Sequence, residues 1–213
     1  MQNLRSHDQL SKGHWDVIDE HGLRAEPVPH RAGHVFPNPA SIYGATKLAQ
    51  EHILQAWSAA KNVPLSIFRL QNVYGPGQSP INPYTGIITF FHQIAAKGNV
   101  IEVYEDGMIG RDFIFIGDVV KAIEAAYVKP AVGRRCIDVG TGVANSIVYA
   151  AKSISSLYGA PEPVITGKFR DGDVRWAVAD VSALQEGLGI TASVGFESGM
   201  SMVREWLTEE KVI

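Results

Sequence analysis

Apolar residues fall into register with a helix from Ile42 onward: Ile42, Ala45, Ala49, Ile53, Ala56, Trp57 and Ala60 make one stripe. Asn38 can cap that helix with Pro39 at its first position, where a missing N–H costs nothing, and Asn62 with Pro64 ends it. The spacing predicts a helix of about 22 residues, the longest in the chain. The period then changes. LSIFRL (65–70) predicts a buried strand, followed by the turn-rich QNVYGPGQSPINP. TGIITFFHQIAAKG (85–98) predicts a helix stopped by Gly98, and NVIEVY and RDFIFI predict strands either side of a Glu-Asp-Gly turn. Asp118 is the expected cap of a helix over 119–128, and RRCIDVG is a further strand. NSIVYAAKSISSLYG is a helix, PVIT a short strand, DVSALQEGLG a short helix capped by Asp180, and 197–209 a final helix. This alternation predicts an α/β protein with substantial parallel sheet. Residues 1–37 stand apart. They hold His7, His14, His21, His30 and His34 but no sustained period, which predicts loop with one short hairpin. The chain therefore divides into a loop-rich segment, 1–37, and an α/β unit, 38–213.

Composition narrows the function. With 213 residues and 46% apolar content the chain can bury a core without disulfides or metal. A net charge of −3, with no Lys/Arg run, argues against a nucleic-acid partner held through a basic face. The single cysteine, Cys136, excludes an internal disulfide framework and a Cys-rich metal site; it lies in an apolar run and reads as a small core residue. There is no apolar run of membrane-spanning length and no signal-peptide pattern, so a soluble, cytoplasmic protein is expected.

Tyr43 and Lys47 lie four apart at the start of the long helix, hence on one face. A lysine ammonium beside a phenol favours the phenolate, which makes the pair an acid/base device for a substrate hydroxyl. The same spacing also arises by chance on any amphipathic helix. GTGVAN (140–145) imitates the start of a dinucleotide-binding turn, but Asn145 stands where a third glycine is needed, and an ordinary loop is the better reading. His30 and His34, with His21 and Glu20, could be imagined as a metal site; without a helical pattern they read as solvated loop residues, and no metal is expected.

Four ordered blocks set these residues in context: SIYGATKLAQE, FRLQNVYGPGQ, GMIGRDFIFIGDVVKAI and FRDGDVRWAVAD. Together they resemble the extended short-chain dehydrogenase/reductase family, the NAD-dependent nucleotide-sugar epimerases and dehydratases, over about residues 38 to 210. The resemblance implies the carboxyl-terminal part of a doubly wound, Rossmann-like parallel sheet plus a small substrate-binding region. It implies that Tyr43 exchanges a proton with a sugar hydroxyl while hydride passes to NAD, and that Lys47 holds the nicotinamide ribose. Asn72 matches the strand end that reaches substrate, and the backbone from Val73 to Pro76 borders the nicotinamide. Arg111 and Arg170 match two arginines that contact the nucleotide diphosphate, with Arg175 as a neighbour. Planar bidentate donors suit that role. For Arg111 the competing reading is a structural pair with Asp112 or Asp118.

Two family features are not found. No strand–GxxGxxG–helix precedes Tyr43 to cradle a pyrophosphate, and neither Ser6 nor Ser11 follows an apolar strand as the family's hydroxyl-binding Ser/Thr does. Residues 1–37 look like an insertion that some members carry before the tyrosine. The expectation is a chain that starts inside a family gene, binds NAD weakly or not at all alone, and partners a nucleotide-sugar, a second copy or a complementing amino-terminal half. The alternative is a non-catalytic remnant or binding module. Which sugar, and epimerase or dehydratase, is not encoded in these blocks.

Overall fold

The computed structural model describes residues 5–80 and 86–213. In chain order the elements are α1 (His7–Ser11), α2 (Ile42–Lys61), β1 (Leu65–Leu70), β2 (Asn72–Tyr74), α3 (Ile87–Ala96), β3 (Glu102–Val103), β4 (Gly110–Arg111) and β5 (Phe113–Phe115). They continue with α4 (Ile116–Val128), β6 (Arg134–Val139), β7 (Asn145–Ser146), α5 (Ile147–Tyr158), β8 (Val164–Ile165), β9 (Trp176–Ala177), α6 (Ser182–Leu188) and α7 (Phe196–Glu209). The predicted alternation is there, and among the described residues four of the five strand pairings are parallel: β1 with β6, β2 with β5, β3 with β8, and β4 with β9. β4 pairs antiparallel with β7.

One continuous stretch of chain changes partner where β1 meets β2. Gln71 N–H still donates to the Val139 carbonyl beyond β6, whereas Asn72 N–H donates to the Asp112 carbonyl leading into β5. β5 separates two cores. Phe113 packs with Tyr74, Ile88, Phe91, Ile154 and Met200 under α3, α5 and α7. Its neighbour Ile114 points the other way, into Val119, Ile137, Val139, Leu184 and Leu188 under α4 and α6. Successive strand side chains alternate faces, so a fully apolar strand is needed when both faces are covered.

Several boundaries differ from the sequence pattern. The long helix starts at Ile42, not Pro39, because Ser41 takes an extended conformation and its Oγ accepts from Gly44 N–H at 3.0 Å. Its end is as expected, with Asn62 left-handed at φ 49°. Asp118 does not cap: the helix starts two residues earlier, and the buried carboxylate reaches across to accept from Ser193 and Val194 amides at 2.9 and 3.1 Å. The helix after Asp180 begins at Ser182, whose amide Asp180 still accepts at 2.9 Å. NVIEVY shrinks to a two-residue strand, and Trp176–Ala177 is a strand the pattern did not suggest. β1 and Cys136 are half-buried, not buried. Within 1–37 the expected hairpin is a bridge between Ile18 and Arg24, but α1 was not anticipated. Thr85, at the start of the predicted 85–98 helix, lies outside the described residues.

Candidate functional site

Tyr43 and Lys47 stand on the first two turns of α2, both exposed, with the lysine Nζ 5.6 Å from the centre of the tyrosine ring. The helix places them by its register, and Ser41 at its cap fixes where that register begins. Bidentate hydrogen bonds from Arg69 to Glu51, 2.9 and 2.8 Å, tie this helix to the strand that leads to Asn72. Among the described residues the pair makes no hydrogen bond, ion pair or ring contact with Asn72, Arg111 or Arg170.

Asn72 sits at the partner change between β1 and β2, half-buried and opposite Phe113. Val73 packs into the second core. Gly75 takes φ 150°, and a Cβ there would overlap the Ile116 side chain, so only glycine lets the chain pass this close over the start of α4. The backbone from Val73 to Pro76 thus leaves β2 at Tyr74 and turns at Pro76.

The arginines separate into different roles. Arg111, at the end of β4 with a side chain 13% exposed, pairs with neither Asp112 nor Asp118; its guanidinium donates to Asp173 Oδ1 at 3.0 Å. Burial lowers its pKa, with Asp173 and Glu105 pulling it back up and Arg5 adding to the lowering. Arg170 is exposed, its guanidinium 5.3 Å from the centre of the Tyr104 ring. Arg175 is a structural cation. It forks onto Asp106 at 2.7 and 2.7 Å and reaches Glu105 at 3.1 Å and Asp16 at 3.2 Å. Burial works to lower its pKa, but the hydrogen bond to Asp106 and the charges of Asp106, Asp16 and Glu105 raise it overall.

Residues 140–144 of the glycine-rich segment form a loop that runs into β7 at Asn145. Two of its amides are engaged by a carboxylate: the fully buried Asp112 accepts from Thr141 N–H at 2.8 Å and Gly142 N–H at 3.0 Å, and also from Thr141 Oγ1 at 2.7 Å and Ala179 N–H at 3.2 Å. Tested against NAD, the residues present fit one end. The exposed Tyr43–Lys47 pair offers a hydroxyl and an ammonium to a ribose, while the Thr141 and Gly142 amides are turned to an internal carboxylate instead of outward to a pyrophosphate. His30 is part of the architecture. Its N–H donates to the Val178 carbonyl and its carbonyl accepts from Asp180 N–H, which docks the chain at His30 beside the segment that follows β9.

Sequence reasoning missed Asp173 as the partner of Arg111, and Arg5 and Glu105 altogether. Asp173 was visible in the FRDGDV block; a lone arginine near the amino terminus offered no signal, because only folding brings it to Glu105.

The family model for the NAD-dependent epimerase/dehydratase family matches residues 24–140, just over half of the chain. A dTDP-L-rhamnose 4-epimerase of Burkholderia thailandensis is 46% identical over 206 residues, 97% of this chain and 55% of that protein. A UDP-glucose 4-epimerase of Mycolicibacterium smegmatis is 32% identical over 79% of this chain and 53% of its own length. The chain thus spans about half the length of these relatives. Among solved structures, the Thermotoga maritima UDP-glucose 4-epimerase with UDP-glucose aligns at TM-score 0.79 and 27% identity, over 89% of this chain and 59% of that one. MoeE5 in complex with UDP-glucose and NAD aligns at TM-score 0.77 and 31% identity, over 89% of this chain and 62% of that one.

Proposed function

The chain belongs to the NAD-dependent epimerase/dehydratase family, and from that premise we propose that it carries the proton-transfer and diphosphate-binding part of a nucleotide-sugar epimerase or dehydratase. The observation that carries this reading is the Tyr43–Lys47 pair, exposed on one helix face with the ammonium 5.6 Å from the phenol ring. NAD, when bound to such an enzyme, takes up and returns hydride. This chain's own residues do the rest. The Tyr43 oxygen takes the proton from the sugar hydroxyl and returns it, and the Lys47 ammonium stabilises the phenolate and holds ribose hydroxyls. Asn72 meets the sugar at the strand end, Val73 backs the nicotinamide, and Arg111 and Arg170 hold the diphosphate with forked donors. The second copy or complementing half expected as partner would meet the exposed face of α2.

A second reading, a nucleotide-sugar-binding chain without turnover, is favoured by one observation: the Thr141 and Gly142 amides of the glycine-rich loop donate to Asp112. Calorimetric titration separates the two. The 213-residue chain is expected to bind NAD weakly or not at all; low-micromolar affinity would show a pyrophosphate site elsewhere and remove the second reading. In a chimaera that appends a relative's dinucleotide-binding half, Tyr43→Phe should abolish turnover and leave NAD binding largely intact, and Lys47→Ala should weaken both. Full activity of Tyr43→Phe excludes its acid/base role.

A further inference from the structure

Residues 5–24 have no part in the reaction above, yet they deliver a buried cation to the neighbourhood of Arg111. The Arg5 side chain is 2% exposed. One guanidinium nitrogen donates to Glu105 Oε2 at 2.6 Å and to the Trp15 carbonyl at 2.9 Å; the other donates to the Asp173 carbonyl at 2.8 Å. Asp173 is the residue whose carboxylate accepts from Arg111. It is held from two sides, at its carbonyl by Arg5 and at its carboxylate by Arg111.

The turn that contains Asp173 also contains Arg170, and Gly172 within it has φ 77°. A half-exposed turn built this way is fixed by few contacts: His7 Nδ1 lies 3.0 Å from the exposed Asp171 carboxylate, and the rest must grip its backbone. Arg5 provides that grip, and its own position is determined in turn by Glu105. Glu105 is a buried non-glycine residue at φ 53°, a conformation L residues adopt sparingly. Its Oε2 accepts from both Arg5 and Arg175. Arg175 reaches Asp16 of the same amino-terminal segment. A guanidinium buried this deeply is retained only where its donors are satisfied together, so Arg5, Glu105 and Asp173 move as a unit.

We propose that Arg5 is a positioning residue for the nucleotide diphosphate: by holding the Asp173 carbonyl it orients the carboxylate that aims Arg111, so residues 5–24 act as a strap that tunes diphosphate affinity. This rests on the reading of Arg111 as a diphosphate ligand, and deepens it. A strap that merely stabilised the fold would change the melting temperature and leave ligand discrimination alone. A positioning residue changes affinity only while Arg111 is there to be aimed.

The test is a double-mutant cycle on the whole chain, reading affinity for UDP and dTDP by calorimetry, with UMP and dTMP as single-phosphate controls. Arg5→Gln should weaken UDP binding about tenfold, and change UMP binding far less, because one forked arginine is lost from the second phosphate. In an Arg111→Lys background the same substitution should change UDP affinity less than about twofold, the signature of two residues acting through one contact. Arg5→Lys keeps the charge opposite Glu105 and protects folding, but an ammonium cannot fork to Asp173 as well, so it should weaken UDP binding in the same sense. Melts followed by circular dichroism identify variants that stay folded. Unchanged UDP affinity in folded Arg5→Lys and Arg5→Gln overturns the proposal, as does an equal loss in both backgrounds. If Arg111→Lys itself leaves UDP affinity unchanged, the reading of Arg111 fails, and the positioning role fails with it.

Discussion

At the scale of single residues, Asp112 and His92 are buried for different reasons and respond to different tests. Asp112 accepts four hydrogen bonds that close the 140–142 turn onto β9. Asn in its place presents an amide N–H₂ to donors that need an acceptor. Hydrogen bonds to a charged group are worth roughly 1.5–3 kcal/mol each and are not additive, so Asp112→Asn should cost about 3 kcal/mol, read as a lower urea midpoint at unchanged slope. His92 is fully buried, with Nδ1 2.9 Å from the Tyr158 hydroxyl and Nε2 lacking a partner among the described residues. Burial, and then the charge of Arg204, push its pKa down to about 4. An unfolded histidine gains its proton near 6.5, so the unfolded state binds more protons below that pH. Stability should therefore fall as pH drops from 6.5 towards 4, by roughly 3 kcal/mol in all at about 1.4 kcal/mol per pH unit. Denaturation midpoints across that window check it: His92→Gln, which takes up no proton there, should lose this part of the slope.

At the scale of elements, α7 and α2 show what periodicity carries and what it does not. Gly199 lies inside α7, where helix propensity alone favours Ala by about 1 kcal/mol. A Cβ at 199 would overlap the Tyr74 hydroxyl, and overpacking of that kind costs about 1–3 kcal/mol or more. The steric effect should win, with Gly199→Ala lowering the melting temperature. Tyr74→Phe removes the overlapping oxygen, which has no hydrogen-bond partner among the described residues, and should recover part of the loss. A melting temperature raised by Gly199→Ala would mean that the Tyr74 ring moves aside freely. The error at the start of α2 has the same origin as the success at its end. Asn-Pro and Ser-Ile are both acceptable starts, and the difference lies in which cap residue is extended, whereas Asn62 before Val63-Pro64 leaves few alternatives.

For the molecule as a whole, the apolar stripe on α2 faces outward. Ile42 is 86% exposed, Ile53 67% and Trp57 52%, and Ser58 is the helix's only buried residue among those described. A contiguous surface of this kind promotes association, and each side chain covered is worth about 1.5–3 kcal/mol. The chain is expected to self-associate or aggregate through α2. Size-exclusion chromatography with light scattering should show species larger than a monomer, shifted towards monomer by Ile53→Glu with Trp57→Glu. A sharp monomeric peak with a cooperative melt for the unchanged chain would overturn this.

The order of strands and helices, the α/β class and the family were legible in the sequence, because they depend on local period and on short blocks whose spacing survives without the fold. Tyr43 and Lys47 were legible for the same reason: a helix fixes i and i+4 on one face wherever it lies. The strand at Trp176 was not, since two residues acquire strand character only from the β4 edge that pairs with them. Neither was the use of the Thr141 and Gly142 amides, which are occupied only once Asp112 is folded beneath them. The roles of the charged residues belong to the tertiary structure as well. Arg111 chose Asp173 over its sequence neighbours Asp112 and Asp118, Arg175 became a structural cation, and Arg5 reached Glu105 from the far end of the chain. An ion pair depends on distance and burial, and for residues far apart in sequence both are decided by how the strands pair and the helices pack.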